Sequence, residues 1–397
     1  MLARMSATEG TTKPRAAAAA AAAAAVRPGP IERADLVVVG AGIVGLAHAV
    51  HAVERGLSVV VVERDDAAVG ASIRNFGHGC VTAQTGPALR CARRARADWL
   101  RLAGEAGYWA AESGTVVAAR AEDELAVLRE FAERAPLPVR LLDAGGVRAL
   151  VPLDAPELLG GAYLAGDVRV NPREAVPAIA AHLARSGVRF LWRTSALGWA
   201  DGRLLTSRGT VEAPRIVAAV GHDVDRLLPE LAEDVGVRRC ALQMLRVDSP
   251  GGRRFAPAVL TGLSLLRYSG FAACPSIPAL RARFAATAPH LLEADLNLMF
   301  TQWPDGLLTI GDTHARAVTH PPFHDEALDS LLLAEIARLL GVPSLAVRER
   351  WRGVYATGPE EFLVHRPEPG VAVVAVTTGI GMTTAFGLAH EIVETLT

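Results

Sequence analysis

Residues Asp35 to Gly45 read Asp-Leu-Val-Val-Val-Gly-Ala-Gly-Ile-Val-Gly, and no other stretch restricts the fold so tightly. A short apolar run, Leu36 to Val39, ends in Gly40, Gly42 and Gly45 at the spacing G-x-G-x-x-G, which predicts a buried parallel strand turning sharply into a helix. Gly40 permits the turn, Gly42 lets backbone N–H groups approach a pyrophosphate, and Gly45 lets helix and strand pack closely. The helical pattern runs to Arg55 and closes at Gly56, and Ser58 to Val62 forms a second strand ending in Glu63. An acidic residue there accepts hydrogen bonds from an adenosine ribose and, despite Arg64 beside it, argues against a 2′-phosphate. The unit predicts an adenine dinucleotide, FAD or NAD, held by Gly40, Ala41, Gly42, Ile43, Val44, Gly45, Glu63 and Arg64. The competing reading is glycines that serve packing only.

Whole-chain properties exclude other classes. At 397 residues the chain is long enough for two domains, or one domain with another inserted. Its 41 basic and 42 acidic residues nearly cancel, so it lacks the charge excess of a nucleic-acid binder. Cys80, Cys91, Cys240 and Cys274 are widely spaced with no zinc pattern, and reduced thiols in a cytoplasmic protein are the simplest reading. Residues 1–30 stand apart, with an alanine run from Ala16 to Ala25. That run is too short to span a bilayer and weakly apolar for a secretory core, so a disordered or transiently helical tail is expected, with Met5 an alternative start. No transmembrane segment is predicted elsewhere.

Gly70 to Gly86 is rich in glycine and hydrogen-bonding side chains, and predicts a loop along the cofactor, with an ordinary surface loop as the alternative. Ser72, Arg74, Asn75, Gly77 and His78 are its candidate contacts. Pro87 to Ala106 predicts an amphipathic helix whose arginines form a solvated face. Thr115 to Ala119 and Gly161 to Leu164 read as strands, Glu122 to Arg134 as a helix, Asp143 as the cap of a short helix, and Asn171 as the start of a helix to Arg185. Further strands are expected at Val188–Trp192, Arg203–Thr206, Thr210–Glu212 and Arg215–Val220, the last followed by a turn at Gly221. Residues 226–345 predict several short strands and a helix from Ser330 to Leu340. Val371 to Val376 predicts a buried strand feeding Gly379, Ile380, Gly381, Met382 and Thr383 and a helix from Phe386 to Leu396. A glycine turn before a helix N-terminus is a second place to stabilise negative charge. The expected architecture is α/β: a Rossmann-like domain from 31–90, 150–225 and 346–397, with an inserted, mainly antiparallel α+β substrate domain from 91–149 and 226–345.

Together the Gly40–Glu63 unit, the Gly70-Ala-Ser region, Arg215 to Gly221 and Gly379 to Met382 resemble the FAD-dependent amine oxidoreductases of the D-amino-acid oxidase and glycine oxidase type, from Asp35 to Thr397. The resemblance implies FAD over NAD, with the last helix directed at the flavin pyrimidine ring. Ala71 to Gly77, Leu242 to Arg246, Phe271 to Ser276, Gly311 to His314 and Glu349 to Tyr355 are similar to blocks of a subgroup associated with aminophosphonate breakdown. That likeness implies oxidation of 2-aminoethylphosphonate, or an N-methylated relative, to phosphonoacetaldehyde.

Flavin amine oxidation presents a neutral amine with its C–H against the flavin and needs no Ser-His-Asp or metal constellation, and none is found in the sequence. An anionic substrate does need arginines. Arg74 is a candidate for flavin or substrate, with a structural ion pair as its alternative. Gln243 and Arg246, three apart on a strand, lie on opposite faces, so one should face the pocket, and Arg246 is the better anion clamp. Tyr268, His314, Arg352 and Tyr355 complete the substrate candidates, each weighed against an ordinary buried role. Some relatives attach flavin covalently through histidine or cysteine, which makes His78 and Cys80 candidates for such a link. The expected partners are a small amine and O2. The alternatives are a glycine, sarcosine or D-amino-acid oxidase or dehydrogenase, and a non-catalytic flavin-binding sensor.

Overall fold

The computed structural model describes residues 32–396, so the expectation of a disordered tail over residues 1–30 lies outside the described residues. Leu36–Val39, Val59–Val62 and Ile216–Ala218 are apolar along their whole length and buried on both faces, as strands covered by helices must be. They form the parallel part of a large sheet in the order Arg189–Leu191, Val59–Val62, Leu36–Val39, Ile216–Ala218, Val371–Thr378. The sheet continues through Val347–His365, antiparallel to Val371–Thr378, into Arg238–Val247, Leu308–Gly311, Met299–Gln302 and Ala258–Leu260. Thr115–Ala119, Gly160–Leu164 and Val139–Asp143 complete that end. The mixed α/β class expected from the sequence is therefore the one observed.

Two local expectations need correction. The last helix runs Gly381–Leu396, so it starts at the glycine turn itself and not at Phe386. The helix expected from Ser330 starts at Glu326, because the Asp325 side chain accepts the Ala327 N–H at 2.9 Å and caps it. The 19-residue strand Val347–His365, which joins the two halves of the sheet, was not anticipated. Its first half is rich in charge, with Arg348, Glu349, Arg350 and Arg352, and its pairing shifts register between Thr357 and Phe362, so neither an apolar run nor a clean period announces it.

Two large cores pack against the two parts of the sheet. Cys91, Ala95, Trp99 and Leu102 of helix Gly86–Ala106 share a core with Leu36, Leu46 and Phe386. This helix therefore packs with the parallel sheet, although a boundary at 91 assigned it to the inserted unit. Gly160–Leu164 pairs with Thr115–Ala119 and joins the other core, again across an expected boundary. All four cysteines are buried free thiols. Among the described residues, no helix is long and apolar enough to cross a membrane.

The last helix meets Gly86–Ala106 closely: Trp99 Nε1 donates to the Met382 carbonyl at 2.7 Å, and a Cβ on Gly387 would lie 2.2 Å from the Cys91 carbonyl oxygen. Gly387→Ala must push two backbones apart, and it is expected to cost about 1–3 kcal/mol, read as a lowered denaturant midpoint at unchanged slope.

Candidate functional site

One cavity of about 790 Å³ is lined from both parts of the sheet, by Glu63 and by Arg267, Asp312 and Tyr355 among others. The first strand ends at Gly40, whose φ of 103° suits glycine and whose Cβ, if present, would lie 2.5 Å from the Ala219 carbonyl oxygen. Helix Ile43–Glu54 opens into the cavity, with the Ile43 N–H donating to Ser72 Oγ at 2.8 Å. Glu63 accepts the Ala41 N–H through Oε2 at 2.8 Å and the Asp65 N–H through Oε1 at 3.1 Å. Its carboxylate is thereby fixed at the cavity wall with acceptor capacity left for ribose hydroxyls. Arg64 pairs with Asp223 at 2.7 Å.

The other helix N-terminus enters through Gly379, Ile380, Gly381, Met382 and Thr383, all lining the cavity. Thr383 Oγ1 accepts the Cys80 N–H at 3.1 Å, tying the helix start to the loop from 70 to 86. Two helix N-termini and the Glu63 carboxylate lining one cavity fit a dinucleotide carrying a pyrophosphate and a second anion-forming ring. Gly40, Gly42, Ile43, Val44, Glu63, Arg64, Ser72, Arg74, Asn75, His78 and Gly221 also line it. Ala41, Gly45 and Gly77 do not: Ala41 holds Glu63, a Cβ on Gly45 would lie 1.9 Å from the Gly40 carbonyl oxygen, and one on Gly77 would lie 1.9 Å from that of Val170. Glu63→Ala is expected to weaken FAD binding roughly 10- to 100-fold through the lost charge-assisted hydrogen bonds, checked by equilibrium titration of the apoprotein with FAD.

His78 and Cys80 face the cavity above a buried polar cluster. His78 Nε2 lies 2.8 Å from Thr115 Oγ1, which donates to Asp167 Oδ2 at 2.7 Å, while Asp167 Oδ1 accepts the Thr82 N–H at 2.8 Å. Ligand-type atoms of His78, Cys80 and Asp167 come within 4.8 Å of one another, and the Thr115 hydroxyl joins His78 to Asp167. Burial and the Asp167 charge push the Cys80 thiol far up, which leaves it protonated and a poor nucleophile.

Elsewhere in the lining, Arg267 Nη2 donates to the Tyr355 hydroxyl at 2.7 Å, and both residues border the cavity. Asp312, Asn297, His314 and Tyr268 form the facing wall. Asn297 Nδ2 donates to Asp312 Oδ1 at 3.2 Å, and His314 Nδ1 bonds the Asp295 carbonyl oxygen at 2.8 Å. Burial pushes the Asp312 carboxyl up to about 7, with the Arg267 guanidinium opposing, and burial beside Arg267 drives His314 well below its ordinary value. Leu242 and Met244 of strand Arg238–Val247 supply apolar wall.

Of the substrate candidates, Arg74, Tyr268, His314 and Tyr355 meet in this cavity, and three do not. Gln243 points to the other face of its strand and donates to Asp329 Oδ1 at 2.6 Å and the Asp325 carbonyl at 2.8 Å. Arg246 pairs with Asp305 and Glu349 and stacks over Trp303, its guanidinium carbon 4.6 Å from the ring centroid. Arg352 holds the carbonyls of Pro321 and Phe323. Carboxylates, an indole and carbonyls outside the cavity lining thus engage the three side chains proposed for substrate. Arg267, Asn297 and Asp312 were missed; the signals available were the adjacency of Arg267 to Tyr268 and of Asp312 to His314.

The family model described as DAO, FAD dependent oxidoreductase, matches residues 35–395. No curated protein matches the chain in a sequence comparison. Among solved structures, glycine oxidase from Geobacillus kaustophilus is similar with a TM-score of 0.74 at 21% identity, covering 92% of this chain and 94% of that one. L-alpha-glycerophosphate oxidase from Mycoplasma pneumoniae, with FAD bound, has a TM-score of 0.69 at 17% identity over 91% and 95% of the two chains. Iminodiacetate oxidase from Chelativorans sp. BNC1 has a TM-score of 0.68 at 19% identity over 89% and 93%.

Proposed function

Because the chain belongs to the DAO family of FAD-dependent oxidoreductases, we propose that it oxidises the C–N bond of a small anionic amine, 2-aminoethylphosphonate or its N-methylated form. With O2 and water as co-reactants, the products are phosphonoacetaldehyde, the released amine and hydrogen peroxide. The observation that carries this reading is Arg267: a guanidinium in the cavity wall whose side-chain hydrogen bond goes to the neutral Tyr355 hydroxyl, leaving donors for an anion. Bound FAD supplies the two-electron acceptor. The protein's part is binding and orientation: Arg267 and Tyr355 hold the anionic end, and the apolar wall of Leu242 and Met244 limits water around the reacting carbon. Arg74, also on the wall, adds a second cation for a group that carries up to two charges.

The phosphonate is favoured over a simple carboxylate because blocks resembling the aminophosphonate-associated subgroup contribute Ser72, Arg74, Asn75, Asp312, His314 and Tyr355 to the cavity lining. A glycine, sarcosine or D-amino-acid oxidase or dehydrogenase is the second reading, favoured by the fact that one planar guanidinium, Arg267, already suits a carboxylate. Oxygen uptake with trapping of the aldehyde product separates the two. Phosphonoacetaldehyde formed with kcat/KM at least tenfold above any amino acid is the expected result, and the reverse preference would replace the phosphonate by a carboxylate.

A further inference from the structure

We propose that Asp312 is the proton acceptor for the substrate ammonium, with His314 holding the other side of the transferred proton; this rests on the reading that the substrate is an amine. Such a group is needed because an ammonium has no lone pair to assist loss of hydride from its carbon, and small amines are protonated at neutral pH.

The geometry singles out Asp312 Oδ2. Oδ1 is taken by Asn297 Nδ2 at 3.2 Å, and the Asp312 backbone is pinned to that of Asn297 in both directions at 2.9 Å, so the carboxylate cannot swing away. Oδ2 instead faces His314 Nε2 at 3.6 Å, beyond hydrogen-bond distance. His314 Nδ1 bonds the Asp295 carbonyl oxygen at 2.8 Å, and since a carbonyl only accepts, Nδ1 must carry the hydrogen. The imidazole is neutral, because burial and Arg267 hold its pKa well down, so Nε2 presents a lone pair. Two acceptors therefore confront each other across a gap in the cavity wall, an arrangement that lacks one donor. An ammonium N–H can fill it.

In the step proposed, an N–H bond of the ammonium breaks, its electron pair stays on nitrogen, and the proton goes to Oδ2, where His314 Nε2 can accept a hydrogen bond from the new O–H. No other reactant is required. The charged and titratable groups around Asp312 are Arg267, which favours the carboxylate, Asp295 with its partner Arg316, and His314, Tyr268, Tyr355 and Cys240. Arg267 and Asp312, which both line the cavity, also match the two ends of a zwitterion.

The test is Asp312→Asn, which keeps the shape of the side chain. With an amine that reduces the wild-type holoenzyme, the anaerobic flavin-reduction rate is followed across pH at subsaturating substrate. Wild type is expected to gain an ascending limb that levels near pH 7, where Asp312 becomes carboxylate. The variant should lose that limb and climb about tenfold per pH unit toward the amine's own pKa, near 10, so that a deficit of roughly 10² at pH 8 shrinks to a few-fold. A deficit that stays constant at every pH would overturn the proposal.

Stability of the apoprotein gives a second readout, independent of turnover. The folded pKa lies above the unfolded value, so wild type loses stability as pH rises from about 4 to about 7 and loses no more beyond. Asp312→Asn should therefore gain on wild type across that window, and a gap that does not change with pH contradicts a proton held there. Amines that fail to reduce wild type at any pH would refute the amine reading and this inference with it, whereas reduction with identical pH profiles would refute only the role of Asp312.

Discussion

Arg267→Gln is expected to raise KM for the anionic amine roughly 10²- to 10³-fold while leaving FAD bound, because removing one partner from a desolvated charge pair costs about 2–5 kcal/mol. The guanidinium lines the cavity with its side-chain hydrogen bond on the Tyr355 hydroxyl, so its substitution removes a cavity cation without breaking a hydrogen bond to a carboxylate of the fold. The cofactor cradle at Gly40, Glu63 and Ser72 is built by other segments and should be untouched. Most of the loss belongs in KM, since the anion contact is made equally in the ground state and the transition state. A second consequence follows from charge. Arg267 opposes the burial that raises Asp312, so its loss should move the ascending pH limb further up. Steady-state kinetics with a flavin absorbance control checks both, and a KM within about threefold of wild type would remove Arg267 from substrate binding.

Gly45→Val is expected to abolish FAD loading and to destabilise the fold by about 3 kcal/mol or more, beyond the usual range for overpacking. A Cβ there would sit 1.9 Å from the Gly40 carbonyl oxygen and 3.0 Å from its carbon, both backbone atoms of the cofactor turn. No flexible side chain can yield, so helix Ile43–Glu54 must lift from the strand, and its N-terminus leaves the cavity. Gly56→Ala is the informative comparison. That position has φ of 77° but nothing within 4 Å of a Cβ, so only backbone conformation is penalised, at about 1–2 kcal/mol, and FAD should still load. Denaturant midpoints and the ratio of visible to ultraviolet absorbance report the two effects. Equal losses in both variants would mean that the Gly45 contact is unimportant.

The lining supplied by Gly40 to Glu63 and by Gly379 to Thr383 was readable because its residues are local in sequence. Gly40 to Glu63 encodes a strand, a turn, a helix and a carboxylate within one βαβ unit, and Gly379 to Thr383 encodes a turn into a helix, so spacing alone carries the geometry. The part of the lining that carries Arg267, Asn297, Asp312 and Tyr355 is assembled from separate segments, and no periodicity links them. Residue type gave little help with the clamp. Arginine is nearly the universal cation of this chain, Lys13 being its single lysine, so an arginine on a strand such as Arg246 looks no different from one on the cavity wall. What separates them is the partner: Arg246 faces Asp305 and Glu349, while Arg267 faces a phenol. The sheet register that turns Gln243 away depends in turn on the long strand Val347–His365, whose polar first half concealed it.

Arg267 is expected to hold a small anionic amine against bound FAD in this cavity. Anaerobic titration of the purified holoenzyme with 2-aminoethylphosphonate, its N-methyl derivative, glycine, sarcosine and D-alanine, followed by the visible flavin absorbance, tests it most directly. The account predicts stoichiometric bleaching by one or both phosphonates, and loss of that bleaching at the same concentrations in Arg267→Gln. Bleaching by amino acids alone would contradict the phosphonate, and a flavin that no amine in the set reduces would contradict the claim itself.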